Sequence, residues 1–152
     1  MRFLGNIEAK TDVKGRAFLP AVFRKVLQAS GEEALVLRKD VFQQCLVLYP
    51  ESVWNARLDM LKAQLNLWKP AHQKLLRQFV SEAEALTLDG NGRFLISKRL
   101  LKAAGIEQDI QFIGMDDTIE IWAPQYLQET LSSDEDFGKE LEEVMGEVGS
   151  EK

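Results

Sequence analysis

The sequence predicts an α+β protein made from one unit used twice. The first sign is Asp12-Val13-Lys14-Gly15-Arg16, whose skeleton returns at Asp89-Gly90-Asn91-Gly92-Arg93 with Asp, Gly and Arg each displaced by 77 positions. The second lies just downstream of each copy. An apolar triplet, Ala17-Phe18-Leu19 or Phe94-Leu95-Ile96, leads into Pro20 or Ser97, then into a short amphipathic segment that stops at Gly31 or Gly105, where the offset has fallen to 74. The third is an apolar run closed by proline, Leu46-Val47-Leu48-Tyr49-Pro50 or Glu120-Ile121-Trp122-Ala123-Pro124, at the same offset. Self-similarity of this kind marks a duplicated structural unit. The copies fall at 1–50 and 85–128, with connecting helices over 51–84 and an acidic tail over 129–152.

The repeated motif has turn chemistry. Asp at the first position of a type I turn can bond the backbone two residues on, and the glycine supplies the positive φ that closes a three-residue loop with a bulge. Residues before each turn alternate as strands do, Ile7, Ala9 and Thr11 in one and Ala85 to Leu88 in the other. Two β-hairpin tips are expected, each carrying an arginine. A turn needs the Asp and the Gly but not a cation one residue later, so keeping arginine in both copies points to a use for it.

Pro20 starts a helix over about 20–30, with Val22, Phe23, Val26 and Leu27 on its inner face and Gly31 as its stop. Ala34 to Leu37 and Leu46 to Tyr49 read as a strand pair around a loop at Asp40 to Gln44. After Pro50, the residues Trp54, Leu58, Leu61, Leu65 and Trp68 recur at helical steps, a stripe expected to be core or to face another subunit. Pro70 breaks the stripe, and Leu75, Leu76, Phe79 and Val80 continue in a second helix to about Ala83. In the second copy Ser97 is placed to cap a helix ended by Gly105, and Ile110 to Ile113 and Thr118 to Trp122 are strands around the turn at Gly114 to Asp117. Pro124 opens another helix. Ser133-Asp134-Glu135-Asp136 reads as an acidic helix start whose few apolar anchors, Phe137, Leu141, Val144 and Met145, predict order on docking.

Chemistry is scarce. His72 is the single histidine, and Cys45 lies in the apolar run Cys45-Leu46-Val47-Leu48, where a small buried hydrophobe is expected. A lone cysteine excludes an intramolecular disulfide and fits a reducing compartment. Asp89-Gly90-Asn91-Gly92-Arg93 begins like a calcium loop but has Phe94 at its sixth position and Leu100 at its twelfth, and Gly90-x-Gly92 lacks the spacing and lysine of a phosphate loop. Neither an enzyme nor a metal or other cofactor is expected. No apolar run approaches the roughly 18 residues of a membrane span, so no membrane partner is expected and the protein reads as cytoplasmic.

The net charge of −5 hides an uneven distribution. From Glu129 to Lys152 nine acids stand against two bases, whereas the first 25 residues carry six bases against two acids. The basic end is compatible with an anionic partner. Arg16 and Arg93, flanked by Lys14 and Asn91, offer donors that can fork onto phosphate or the guanine O6/N7 edge, and a two-stranded ribbon fits the major groove. Asp12, Gly15, Asp89 and Gly92 hold the turns, with the aspartates also able to orient the arginines. The competing reading is an assembly module whose tips make subunit salt bridges without DNA.

Phe3-Leu4-Gly5-Asn6, the Asp12-x-Lys14-Gly15-Arg16 turn with Leu19-Pro20 and Phe23-Arg24, the Asp89-x-x-Gly92-Arg93 turn and the later Ile119-Glu120-Ile121-Trp122 together resemble the MraZ family over about residues 1–127. The resemblance implies two AbrB-like halves in one chain, forming a double-split, swapped-hairpin β-barrel flanked by helices. It also implies a nucleoid-associated regulator, typically a repressor, of the division and cell wall gene cluster. Such a protein forms a ring of identical subunits whose Asp-x-x-x-Arg tips, here Asp12 to Arg16 and Asp89 to Arg93, meet short G-rich direct repeats in the promoter of its own operon. Two departures concern the second copy: Ser97 stands where proline is common, and Gly90-Asn91 lacks a basic residue. The second tip is therefore expected to contact DNA less than the first. The acidic tail lies outside the resemblance.

Overall fold

A computed structural model describes residues 1–150; the last two residues of the acidic tail lie outside the described residues. The first copy supplies β1 (Asn6–Lys10), β2 (Arg16–Phe18), α1 (Ala21–Ala29), β3 (Ala34–Lys39) and β4 (Leu46–Pro50). Two helices, α2 (Glu51–Gln64) and α3 (Pro70–Ser81), lead to the second copy. That copy repeats the order as β5 (Glu84–Thr87), β6 (Arg93–Leu95), α4 (Lys98–Ala103), β7 (Asp109–Gly114) and β8 (Ile119–Trp122), before α5 (Pro124–Gln128) and α6 (Asp134–Ser150).

Strand pairing weaves the copies together. A six-stranded sheet runs β1-β7-β8-β4-β3-β5, and a separate ribbon pairs β2 with β6, all antiparallel. Exchanging each element for its counterpart, β1 for β5, β3 for β7 and β4 for β8, leaves the order unchanged when read from the other end. Each copy's first strand has left its own unit to pair with the other's hairpin. The fold is the α+β, duplicated swapped-hairpin barrel that the resemblance implied. Reading the residues alone gave two local hairpins; the turns form, but the strands leaving them pair across the copies. An isolated two-stranded hairpin is marginally stable at best in water. Paired with β6, β2 sets Ala17 directly against Phe94 in the core.

One core is built from both halves. Phe3 and Phe23 meet edge to face at 5.7 Å, and Phe94 meets Phe112 at 6.4 Å. Leu19, Leu37, Leu100, Ile110 and Ile121 complete the same cluster. The helix signals hold: Pro20 precedes α1, Ser97 Oγ accepts from Leu100 N at the start of α4, and Gly31 and Gly105 close the two helices at φ +68° and +66°. Cys45 packs with Trp122 and Leu127, and burial pushes its thiol pKa upward, which makes it unreactive.

The Trp54–Trp68 stripe is not a single helical face. α2 stops at Gln64, five residues before Lys69, and Trp68 is 94% exposed in the turn. Only Trp54 is buried, stacked on Phe79 of α3 at 5.1 Å and edge-on to Tyr49 at 5.3 Å. Arg38 of β3 fixes α3 to the sheet: its guanidinium donates to the Phe79 carbonyl at 2.9 Å and to Glu82 at 3.2 Å, and lies 4.8 Å from the Phe79 ring. His72 has a structural place here, with Nδ1 accepting the Asn66 N–H at 2.8 Å. Ser133 starts α6, accepting the Phe137 N–H on its carbonyl at 2.8 Å and the Asp136 N–H on its hydroxyl at 3.2 Å. Phe137, Leu141, Val144 and Met145 all remain exposed on it.

Candidate nucleic-acid interface

Each tip is a turn organised by one aspartate. Asp12 Oδ1 accepts the backbone N–H groups of Lys14 and Arg16, both at 2.9 Å, and its Oδ2 accepts Arg16 Nε at 2.8 Å. Gly15 N–H returns to the Asp12 carbonyl at 3.0 Å, and Asp12 N–H donates to the Arg16 carbonyl at 2.8 Å. Asp89 repeats the set: Oδ1 accepts from Asn91 N and Arg93 N at 2.9 Å, and Oδ2 accepts Arg93 Nε at 2.9 Å. Gly15 and Gly92 take φ +88° and +82°, the left-handed region a side chain disfavours. Hydrogen bonds to the charged form, led by the N–H of Arg16 or Arg93, hold both carboxyls below the usual aspartate range.

This geometry fixes what the arginines can do. Nε is committed to the aspartate, so the guanidinium plane is set and its two Nη groups form the outward edge. Asp12 and Asp89 thus position the arginines as well as closing the turns. Lys14 and Asn91 stand exposed at the two apices.

The β2–β6 ribbon brings the tips into one surface. The Gly15 carbonyl accepts from Ile96 N, and the Gly92 carbonyl accepts from Leu19 N, both at 2.9 Å, so each turn is tied to the strand of the other copy. Arg16 lies opposite Leu95 and Phe18 opposite Arg93. Directly opposed residues share a face, and while Ala17 and Phe94 face the core, these four face outward. Phe18 is 59% and Leu95 56% exposed, and the Arg93 guanidinium lies 5.8 Å from the Phe18 ring. Two guanidinium forks flanked by two apolar side chains can meet phosphates or base edges together with a thymine methyl or sugar face.

The structure therefore brings Asp12, Lys14, Gly15 and Arg16 onto one ribbon with Asp89, Asn91, Gly92 and Arg93. Sequence reasoning did not single out Phe18 and Leu95. The signal was present as alternation, since each is the middle residue of a triplet whose flanking members are buried. Lys98 was also missed: it lines a shallow cleft beside the first tip with Lys14 and Glu107. Among the described residues no group of His, Cys, Asp and Glu is arranged to hold a metal, and no helix is long and apolar enough to cross a membrane.

Fold and site together define a duplicated swapped-hairpin protein that presents paired Asp–Arg turns on a single ribbon. A family model described as "MraZ protein, putative antitoxin-like" matches the chain twice, over residues 2–78 and 79–145. A protein of Phocaeicola vulgatus named "Transcriptional regulator MraZ" is 64% identical over 146 residues, 96% of this chain and 95% of the relative. Proteins of the same name from Bacteroides fragilis and Christiangramia forsetii are 56% and 35% identical, covering 97% and 96% of this chain and 93% and 94% of their own lengths. The chain belongs to the MraZ family. The second match reaches residue 145, so it takes in most of the acidic segment that the motif resemblance left out.

Proposed function

We propose that the protein is a sequence-specific DNA-binding regulator of transcription, acting as a repressor of a division and cell wall gene cluster that includes its own operon. It binds short G-rich direct repeats through the Asp-x-x-x-Arg tips, with Arg16 and Lys14 as principal contacts and Arg93 and Asn91 as secondary ones. The observation that carries this reading is the pair of identically hydrogen-bonded, aspartate-held arginines on one two-stranded ribbon, a shape suited to the major groove. The name shared by the relatives supports the regulatory role.

One ribbon neutralises few phosphates, so affinity at physiological salt needs several ribbons acting together on spaced repeats. A closed ring of identical subunits meets that need, and the exposed Met60 and Trp68 on the connecting segment offer material for heterologous contacts. In this reading 1–50 and 85–128 form the DNA-binding halves, while 51–84 and the tail 129–152 serve assembly. The protein works in the cytoplasm on the nucleoid and uses no cofactor.

The test is fluorescence anisotropy of wild type and Arg16→Ala on the DNA upstream of the protein's own gene, across salt, with a scrambled duplex as control. Specific binding by wild type, lost in a variant that assembles normally, is the expected result. Equal affinity for both duplexes, or altered oligomer size with unchanged DNA binding, overturns it in favour of an assembly module.

A further inference from the structure

At both tips the arginine Nε is bound to the aspartate carboxylate, at 2.8 Å for Arg16 and 2.9 Å for Arg93, so neither pair adds net charge. The first tip keeps a surplus cation in Lys14. At the matching position of the second stands Asn91, and the tip's own residues sum to zero.

Arg24 changes that balance. It belongs to α1 of the first copy, yet its side chain lies over the second turn. A Cβ placed on Gly92 would stand 2.6 Å from Arg24 Nη1, 2.8 Å from Cδ and 3.1 Å from Cζ. The position 77 residues on is Leu101, whose Cδ1 makes the equivalent approach to Gly15, at 3.2 Å from a Cβ there. The swap thus sends one side chain from each copy's helix onto the other copy's turn, and only at the second turn is it a cation.

Arg24 has no counterion of its own among the described residues. Its Nε is buried with no hydrogen-bond partner. Glu32 and Glu33 line the same cleft, but neither pairs with it, and Glu32 accepts a hydrogen bond from Ser52 Oγ. A guanidinium desolvated along one edge without an acceptor gains more than a solvated lysine does from an anion reaching its Nη groups.

We propose that Arg24 is a phosphate-binding residue of the second tip, carried there by the first copy in place of the lysine that tip lacks, and that its ligand is a DNA backbone phosphate beside the one met by Arg93. This rests on the DNA-binding reading above. Each turn then carries one Arg–Asp pair and one further cation over it, Lys14 from its own residues or Arg24 from the other copy.

Arg24→Leu installs the residue the other copy uses at the equivalent position, which keeps the apolar packing over the glycine. Anisotropy of full-length protein on its own upstream DNA is followed across salt, with assembly and thermal unfolding measured alongside. The slope of log affinity against log salt falls by about one for each second tip engaged, and one lost contact weakens binding about fivefold at 0.15 M salt. Arg24→Lys keeps the wild-type slope, and Asn91→Lys added to Arg24→Leu restores it. If Arg24→Leu melts early, Arg24→Gln takes its place. A wild-type slope in the charge-removing variant overturns the assignment, as does weaker binding at unchanged slope that Asn91→Lys does not rescue. Wild type that fails to distinguish its own DNA from the scrambled duplex removes the DNA-binding reading itself, and this proposal with it.

Discussion

The first and second tips agree in every turn hydrogen bond to within 0.1 Å, yet the ground beneath them differs. A Cβ on Gly15 would stand 2.7 Å from the backbone carbonyl oxygen of Ile96, whereas one on Gly92 would meet the side chain of Arg24. The turn is written by residues within five positions of one another, so duplication copied it whole. The floor of each turn is contributed by the opposite copy, and there the two halves were able to diverge.

The largest expected asymmetry is in the ribbon's core face. Phe94 and Ala17 occupy the same position in the two copies and lie directly opposite each other, both buried. Phe94→Ala leaves a cavity flanked by another alanine and lowers stability by about 3–5 kcal/mol in urea unfolding. A loss under about 1 kcal/mol would mean that Phe112 and its neighbours collapse into the gap.

Next come the turn glycines. Alanine at either position carries the left-handed strain of about 1–2 kcal/mol, but at Gly15 it also meets a backbone atom that cannot swing away. Gly15→Ala is therefore more destabilising than Gly92→Ala, and placing Gly92→Ala on Arg24→Leu reduces its cost. Equal losses at both glycines would show that the floors are alike after all.

The proposed DNA-binding reading also ranks the tips. Arg16→Ala is expected to weaken specific DNA binding more than Arg93→Ala, with each change lowering the salt slope by about one for every tip of its kind engaged. Anisotropy that ranks Arg93→Ala first would reverse the order of the tips.

Acid sensitivity is the property the tips share. Because the folded pKa of Asp12 and Asp89 is depressed, the turns' contribution is complete above the ordinary aspartate value of about 3.9 and is lost as pH falls through the lower folded value. Stability measured between pH 5 and 2 falls less steeply at the acid end in the Asp12→Asn/Asp89→Asn double variant. The smallest effect is expected at α6. With Phe137, Leu141, Val144 and Met145 exposed, ending the chain after residue 131 leaves thermal unfolding of the body unchanged.

Much of this was legible in advance because it is local. The two Asp-x-x-Gly-Arg turns, the proline and serine helix starts and the glycine stops depend on neighbours in sequence, and the apolar run around Cys45 marked it as buried although Trp122 and Leu127 are what cover it. The middle residues of the triplets, Phe18 and Leu95, could have been read as outward-facing from their alternation. Trp68 could not be placed, because helical spacing continues across residues 65–69 while the backbone does not. The side-chain positions of Arg38 and Arg24 could not be read either: one is defined by carbonyls of α3, more than 35 positions away, and the other by Gly92.

The sequence by itself determined that there are two units, where the proline- and serine-started helices begin and the glycine-stopped ones end, and which aspartate holds which arginine, since those interactions close within a few residues and depend on residue type. Only the tertiary structure decided that β1 pairs with β7, β5 with β3 and β2 with β6, and hence that each turn rests on the other copy's helix. Antiparallel ladders of similar apolar strands are nearly interchangeable in local pattern. The choice between pairing within a copy and across copies is made by how much apolar surface each arrangement buries, a sum over the whole chain that no single segment carries.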